Sequence, residues 1–104
     1  IKIYGDGKQT RTFCYIDDTI ETIINCFEKK LHNNDILNIG SDIEISMNYL
    51  AKLIIKLLNS KSKIVHIKPL EEGDMKRRKP DNKKMKNILK RDLVKLSDGL
   101  SKII

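Results

Sequence analysis

The residues of this sequence with the clearest chemical potential are arginines, whose side chains bind phosphate groups. Arg11 lies just after the turn Gly5–Gly7, and Arg77 and Arg78 lie in the basic run KRRKPD. A guanidinium is planar and permanently charged, so it grips phosphate oxygens through paired hydrogen bonds. From the residues alone, Arg11 also fits an ordinary exposed strand position, and the basic run also fits a solvated loop.

Three short matches to enzyme motifs fail because of their surroundings. Tyr4 and Lys8 have the spacing of a Tyr-x-x-x-Lys pair, which needs a helix to bring both side chains to one face. Gly5 and Gly7 lie between them and argue against a helix. Gly5-Asp6-Gly7 begins like a dinucleotide-binding fingerprint, but the last glycine is missing and a strand follows. Gly7-Lys8 lacks the flanking residues of a phosphate-binding loop, so none of the three matches is interpreted as functional.

Metal binding is not predicted from the cysteines and histidines. Cys14 and Cys26 are the only cysteines, and no pair of histidines lies near them to complete a zinc site. With no secretory signal, both are interpreted as reduced thiols inside the cell. His32 and His66 have no partner at a useful spacing and are interpreted as a loop residue and a strand-surface residue.

Short β-type runs are expected to position the arginines. Residues 1–4 and 10–16 are rich in β-branched and aromatic side chains, and they are predicted to form a hairpin around the Gly-Asp-Gly turn. Further strands are predicted over residues 35–39 and 63–67, the second of them stopped by Pro69.

Four helices are predicted between and after these strands. The first runs from an N-cap at Asp17 to about Lys30 and is expected to bury one apolar stripe, formed by Ile20, Ile23, Ile24 and Phe27. The second is capped by Ser46, and its apolar face holds Leu50, Leu53, Ile54, Leu57 and Leu58. Two more are predicted over residues 82–89, with Asp81 as a natural cap, and 97–104. Strands alternating with helices indicate an α/β fold.

The positive charge of the chain is unevenly distributed. The formal net charge is +7, and residues 60–104 carry the whole of this excess. Such asymmetry is typical of a surface for nucleic acid or for other phosphates, but a solvated lysine-rich face explains it as well. The same residues include no aromatic side chain on which bases could stack, so no nucleic-acid partner is expected. No run is long and apolar enough for a membrane span.

Four blocks of sequence, in family order and over nearly the whole chain, resemble the extended short-chain dehydrogenase/reductases that act on nucleotide sugars. YGDGKQTRTFCYIDD resembles GDG-x-Q-x-R-x-(F/W)-x-Y-(V/I)-x-D, and DILNIG resembles the N-(I/L)-G strand that follows. ISMNYLAKLI is similar to the helix T-(M/I)-x-E-LA-x-x-(I/V), and EEGDMKRRKPDNKKMKNIL to the late block D-D-P-x-K-R-K-P-D-I-x-K-A-K-x-x-L. The combination of QTR with KRRKPD is most similar to the UDP-glucuronate decarboxylase (UDP-xylose synthase) branch.

The sequence departs from the family pattern at several positions. The glutamate usual in the Ser46 helix is Asn48 or Tyr49 here. Leu89-Lys90-Arg91 stands where the family has Leu-Gly-Trp after the third helix. Glu71 stands where epimerases of the family have an arginine, and this difference counts against an epimerase.

The resemblance implies the fold and the part of the fold that is present. The expected fold is α/β, the C-terminal portion of an NAD(P)-binding Rossmann-type enzyme. Residues 1–40 would supply the closing elements of the Rossmann domain, and residues 41–104 would form a small substrate-binding lobe. The NAD-binding N-terminal part, with the catalytic tyrosine and lysine, is expected to lie outside this chain. The chain alone is therefore expected to be inactive.

The resemblance also implies which residues bind the substrate. Arg11 is expected to contact the nucleotide, with Gln9 beside it. Arg78 is similar to a second arginine that approaches the diphosphate. Asp74 corresponds to an acidic residue that contacts the nucleotide in epimerase relatives. No catalytic or metal-binding residue is expected in this chain.

In the full enzyme, the resemblance implies that bound NAD oxidises C4 of UDP-glucuronate, that the β-keto acid loses carbon dioxide, and that NADH reduces the ketone to give UDP-xylose. The alternatives are a dTDP-glucose 4,6-dehydratase or a nucleotide-sugar epimerase of the same family, and a non-catalytic basic module that binds nucleotides or nucleic acid. The expected partners are a UDP-sugar and either a second copy or a separate N-terminal chain. A cytoplasmic location is expected, with a membrane-anchored Golgi or ER form left open.

Overall fold

The computed structural model describes residues 1–70 and 75–104 of this chain. The strands are β1 (Lys2–Tyr4), β2 (Thr10–Thr12), β3 (Glu44–Ser46) and β4 (Val65–Ile67). The helices are α1 (Ile16–Glu28), α2 (Met47–Leu57), α3 (Lys83–Leu89) and α4 (Leu96–Ile103). This mixture of short strands and helices agrees with the predicted α/β class.

The strands form two separate pairs, and neither pair is the predicted hairpin. β1 lies parallel to β4, with Lys2 opposite Val65. β2 lies antiparallel to β3, with Arg11 opposite Ile45. The hairpin prediction is wrong because both strands that flank the Gly-Asp-Gly turn bond to strands that come much later in the chain. Local pattern favours a strand but does not name its partner.

The Gly-Asp-Gly turn is packed against the first residues of α2. Gly5 and Gly7 have φ values of 67° and 70°, which glycine adopts without strain. Asn48 donates from its backbone N to the Gly7 carbonyl at 3.1 Å and from its side-chain Nδ2 to the Asp6 carbonyl at 2.8 Å. A Cβ atom on Gly7 would lie 2.3 Å from Asn48 Oδ1, so a larger residue at this position would displace the Asn48 side chain from its bond to Asp6. The turn thereby directs the chain from β1 into β2.

The strand predicted over residues 35–39 is not present in the structure. A strand needs a neighbour for its backbone groups, and no described strand lies beside these residues. Ile36 is 83% exposed. Asp35 instead accepts hydrogen bonds from Lys84 Nζ, at 2.6 Å to Oδ2, and lies 3.0 Å from His32 Nδ1. Lys84 first, and then His32, lower the pKa of the Asp35 carboxyl.

Helix α1 packs with the face opposite to the predicted one. The apolar stripe is exposed, from 47% at Ile20 to 85% at Phe27, so the prediction that it is buried is wrong. The fully buried side chains of α1 are Asp18 and Thr22, which lie one turn apart. The helix begins at Ile16 with Tyr15 as N-cap, and the predicted cap, Asp17, lies in the first turn. In the first turn, its negative charge interacts favourably with the positive N-terminal end of the helix dipole.

Two predicted caps of the later helices have partners in the structure. Ser46 Oγ accepts from the Tyr49 backbone N at 3.2 Å and is the N-cap of α2, as predicted. Asp81 Oδ1 accepts from the Lys83 backbone N at 3.1 Å, although the N-cap position of α3 is Asn82. Asn82 is buried and donates to the Gly40 carbonyl at 2.8 Å.

The molecule is extended rather than compact. It measures 47 × 33 × 15 Å along its principal axes. Its radius of gyration is 16.4 Å, whereas a compact domain of about 100 residues has a value of about 13 Å. The buried apolar side chains are accordingly few: Ile3, Ala51, Met85, Ile88 and Leu89.

Lys90 offers a test of the backbone at the end of α3. It is the C-cap and has a left-handed φ of 54°, where the related family has glycine. A side chain in this region costs about 1 kcal/mol. Lys90→Gly should therefore raise the free energy of unfolding by about 1 kcal/mol, as measured by urea denaturation.

The matched control for this prediction is Lys52→Gly. Lys52 is exposed within α2, where glycine should lower the free energy of unfolding by about 0.5–1 kcal/mol. Loss of stability in both variants would contradict the strain assigned to Lys90.

Candidate functional site

A cleft of about 310 Å³ lies between β1, β2 and helix α2. Its walls are mainly apolar and include Ile3, Met47 and Ile54. Gln9 and Arg11 contribute polar side chains to the same cleft. The structure thus brings together two of the residues that the sequence predicts to bind the substrate. A mainly apolar pocket with a few convergent polar groups is the usual form of a small-molecule site.

The Arg11 side chain is half-buried and held by backbone carbonyls. Its Nη1 atom donates to the Thr10 carbonyl at 2.8 Å and to the Met75 carbonyl at 2.7 Å. These bonds fix the plane of the guanidinium at the rim of the cleft. They also join β2 to the segment that follows residue 74.

Gln9 connects β1 with the start of α2. Its side-chain Nε2 atom donates to the Tyr4 carbonyl at 2.9 Å, and its backbone carbonyl accepts from the Met47 backbone N at 3.2 Å. Tyr4 and Gln9 also line a second cleft of about 390 Å³, on whose far side lies Lys76. Gln9 therefore lies in the wall that the two clefts share.

The other two predicted binding residues are not placed in the Arg11 cleft. Arg78 is exposed and is not among the residues that line it. Its Nη2 atom lies 3.6 Å from Met75 Sδ, so Arg78 and Arg11 contact the same methionine. Asp74 falls within residues 71–74 and lies outside the described residues. The roles of Arg78 and Asp74 stay predictions.

Tyr4 is a lining residue that the sequence reasoning did not assign to a binding site. It is 48% exposed and lies in the walls of both clefts. The available signal was its position, an aromatic residue at the end of a strand immediately before a glycine turn. Aromatic rings exposed in such walls stack on planar ligands.

Glu44 is a second residue that sequence reasoning did not single out. Its two carboxylate oxygens accept from Arg77, at 2.8 Å from Nε and 2.6 Å from Nη2. Thr10 Oγ1 also donates to Glu44 Oε1, at 2.9 Å. Arg77 first, and then Thr10, lower the pKa of the Glu44 carboxyl. No spacing rule links Glu44 with Arg77, because they are 33 positions apart.

Asp18 is a buried carboxylate whose partners are all structural. Arg91 Nη1 donates to Asp18 Oδ1 at 2.7 Å, and the Val94 backbone N donates to Oδ2 at 2.9 Å. Arg91 also bonds to Glu21 through Nε at 3.2 Å and through Nη2. Glu21 and then Asp18 raise the pKa of Arg91. This cluster ties α1 to the segment between α3 and α4, and it leaves Asp18 without a catalytic role.

Neither a metal site nor a membrane span is found in the part of the chain that the structure describes. Among residues 1–70 and 75–104, no group of His, Cys, Asp and Glu side chains is arranged to hold a metal ion. None of the helices in the same ranges has the length and apolar character to cross a membrane.

Comparison with known proteins links this geometry to a family. The sequence model of the "NAD dependent epimerase/dehydratase family" matches residues 1–40. The UDP-N-acetyl-alpha-D-glucosaminuronate decarboxylase of Bacillus cytotoxicus is 42% identical over 92 residues, which cover 83% of this chain and 28% of that protein. UDP-glucuronic acid decarboxylase 1 of Danio rerio is 32% identical over 105 residues, which cover 100% of this chain and 24% of that protein. The chain thus spans about a quarter of the length of these relatives.

A solved structure shows the same fold. The UDP-glucuronic acid 4-epimerase of Bacillus cereus, crystallised with UDP-glucuronic acid and NAD, superposes with a TM-score of 0.80 and 33% sequence identity. The superposition covers 95% of this chain and 32% of the epimerase chain.

Proposed function

This chain belongs to the NAD-dependent epimerase/dehydratase family as a C-terminal part of an extended short-chain dehydrogenase/reductase, and on that premise we propose that it is the substrate-binding portion of a UDP-glucuronate decarboxylase that forms UDP-xylose. The decarboxylase names of the similar relatives support the reaction class. The observation that carries the proposal is the shared cleft of Gln9 and Arg11.

The cleft has the chemistry that a nucleoside diphosphate requires. Arg11 offers a half-buried guanidinium at the rim, where a phosphate oxygen would gain a charge-assisted hydrogen bond. Tyr4 offers an exposed aromatic ring and the apolar wall offers room for a planar base. In this proposal Arg11 binds the diphosphate, Gln9 supports it from the adjacent wall, and Arg78 approaches from the later segment. The contact with the nucleotide that is predicted for Asp74 lies outside the described residues.

The described residues do not form a cradle for NAD. The glycine turn that begins like a dinucleotide fingerprint is filled by Asn48, whose Oδ1 lies where a substituent on Gly7 would be. The family uses NAD, and the epimerase of Bacillus cereus was crystallised with it. We therefore assign NAD binding to residues outside this chain, together with the catalytic groups.

The exposed stripe of α1 supports a role as one part of a larger protein. Ile20, Ile23, Ile24 and Phe27 present a continuous apolar surface that a protein would normally cover. In the proposed arrangement, residues 1–40 close a Rossmann domain and residues 41–104 form the substrate lobe. The pairs β1–β4 and β2–β3 both cross this boundary, so the two portions fold together.

A second substrate has a specific observation in its favour. The Bacillus cytotoxicus relative, which is 42% identical, is named for UDP-N-acetylglucosaminuronate. The two candidate substrates share the UDP group and the uronate carboxylate, and they differ in the sugar substituent. The same cleft and the same arginines would serve both.

A chimeric enzyme tests the proposed reaction. This chain should replace the matching 105 residues of the Danio rerio decarboxylase with retention of carbon dioxide release from UDP-glucuronate. The matched control carries the corresponding segment of the Bacillus cereus epimerase, which is equally similar to this chain at 33% identity. Both chimeras are assayed with UDP-glucuronate and UDP-N-acetylglucosaminuronate. A folded chimera with this chain that releases no more carbon dioxide than the epimerase control would contradict the assignment.

A further inference from the structure

Residues 75–79, here called the basic segment, are anchored along strand β2. The Thr10 backbone N donates to the Lys76 carbonyl at 2.9 Å. Arg11 Nη1 donates to the Met75 carbonyl at 2.7 Å. The Arg77 side chain extends from the same segment to Glu44 on β3. The basic segment is therefore held by side chains as well as by its backbone.

The Glu44–Arg77 ion pair has a geometry that fixes orientation. The guanidinium donates from Nε and Nη2 to the two oxygens of one carboxylate, at 2.8 and 2.6 Å. Such a bidentate pair restricts both side chains more than a single contact does. Thr10 Oγ1 adds a further bond to Glu44 at 2.9 Å, and the Glu44 side chain is only 23% exposed. Arg77 first, and then Thr10, lower the pKa of Glu44, so the pair stays charged to more acidic pH than an ordinary glutamate would allow.

The next residue along the basic segment is Arg78, which contacts the Met75 side chain. Arg78 Nη2 lies 3.6 Å from Met75 Sδ, and Arg11 Nη1 lies 2.7 Å from the Met75 carbonyl oxygen. The separation of the two guanidiniums is therefore set by the placement of Met75–Arg78. The Glu44–Arg77 pair restrains that placement.

We propose that Glu44 is a positioning residue for phosphate binding: through its ion pair with Arg77 it holds the basic segment so that Arg78 and Arg11 meet the two phosphates of one nucleotide. The inference rests on the proposed function, since it takes the Arg11 cleft as the nucleotide site. Glu44 itself touches no ligand in this arrangement.

The sign of the effect separates positioning from simple electrostatics. Glu44→Gln removes a negative charge from the anchor of the basic segment, and by charge alone the loss of a negative charge should leave the binding of an anion unchanged or strengthen it. Positioning predicts the opposite. We expect Glu44→Gln to weaken UDP binding by about 5–10-fold, the size of one lost charge-assisted contact. UMP has no second phosphate, so Glu44→Gln should weaken the binding of UMP by less than about 2-fold.

The experiment is calorimetric titration, with UDP and with UMP at fixed ionic strength, of the chimeric enzyme in which this chain replaces the matching residues of the Danio rerio decarboxylase. The variants are Glu44→Gln, Arg78→Ala and the double variant. If Glu44 acts through Arg78, the double variant should bind UDP no more weakly than Arg78→Ala alone. Asp35→Asn is the matched control, because it breaks the Asp35–Lys84 ion pair, at 2.6 Å, and neither residue lines a pocket with the basic segment. Circular dichroism checks that each variant remains folded.

The outcomes distinguish this inference from the proposed function. If the chimeric enzyme with the unaltered chain binds UDP no better than inorganic phosphate, the proposed function fails and the inference fails with it. If the unaltered chain binds UDP but Glu44→Gln binds it equally well or more tightly, only the inference is overturned. Equal losses for UDP and UMP, or additive losses in the double variant, also overturn it.

Discussion

Replacing Arg91 by alanine should lower the free energy of unfolding of this chain by about 2 kcal/mol. The Asp18 carboxylate is fully buried and would keep only the Val94 backbone N as a donor. Breaking a buried ion pair by removing one partner typically costs about 3–5 kcal/mol. The expected loss is smaller here because Arg91 itself is 38% exposed to solvent. Urea denaturation measures the loss as a lower midpoint at unchanged slope.

Two further variants identify the cause of that loss. Adding Asp18→Asn to Arg91→Ala removes the buried charge, so the double variant should be more stable than Arg91→Ala alone. Arg77→Ala removes a guanidinium from an exposed pair, and its cost should be clearly smaller. Equal destabilisation by Arg91→Ala and Arg77→Ala would show that burial of Asp18 is not the cause.

Arg11→Ala should weaken UDP binding by this chain about 10- to 100-fold, or about 1.5–3 kcal/mol. The reason is the loss of a charged donor from the rim of a mainly apolar cleft, where water competes less for the phosphate. Calorimetric titration at one fixed salt concentration measures the change, since exposed charges are screened by salt.

The controls for Arg11 separate its geometry from its charge. Arg11→Lys keeps the charge but lacks the planar fork, so its affinity should fall between those of the unaltered chain and Arg11→Ala. Lys52→Ala removes the same charge from an exposed position of α2 that does not line the cleft. Its UDP affinity should be unchanged. Unchanged affinity of Arg11→Ala would exclude Arg11 as a phosphate ligand.

Local features of the fold could be predicted from the sequence, but which elements pack or pair with one another could not. Ser46 was identifiable as a cap because capping chemistry acts within one turn of a helix. Ile20 and Phe27 were correctly placed on one face of α1, but whether that face is buried depends on what packs against it. The predicted strand over residues 35–39 failed for the same reason, since a strand forms only beside another strand.

In the candidate site, too, some residues could be predicted from the sequence and some contacts could not. Gln9 and Arg11 are predicted by resemblance to bind the substrate, and the structure places them in one cleft. The Glu44–Arg77 and Asp18–Arg91 pairs were not found, because their partners lie 33 and 73 positions apart and leave no periodic signal. The sequence shows that Arg91 departs from the family pattern, but it does not show that the Arg91 side chain bonds to Asp18.

The parallel pairing of β1 with β4 has a consequence for the order of folding. The amino group of Ile1 donates to the Lys63 carbonyl at 2.7 Å, across 62 positions of sequence. Closing so long a loop costs entropy before any contact repays it, and such topologies fold slowly. During synthesis, β1 leaves the ribosome before β4 and cannot form this pair until β4 follows. The Gly-Asp-Gly turn, which comes directly after β1, is therefore made well before the strand that β1 pairs with.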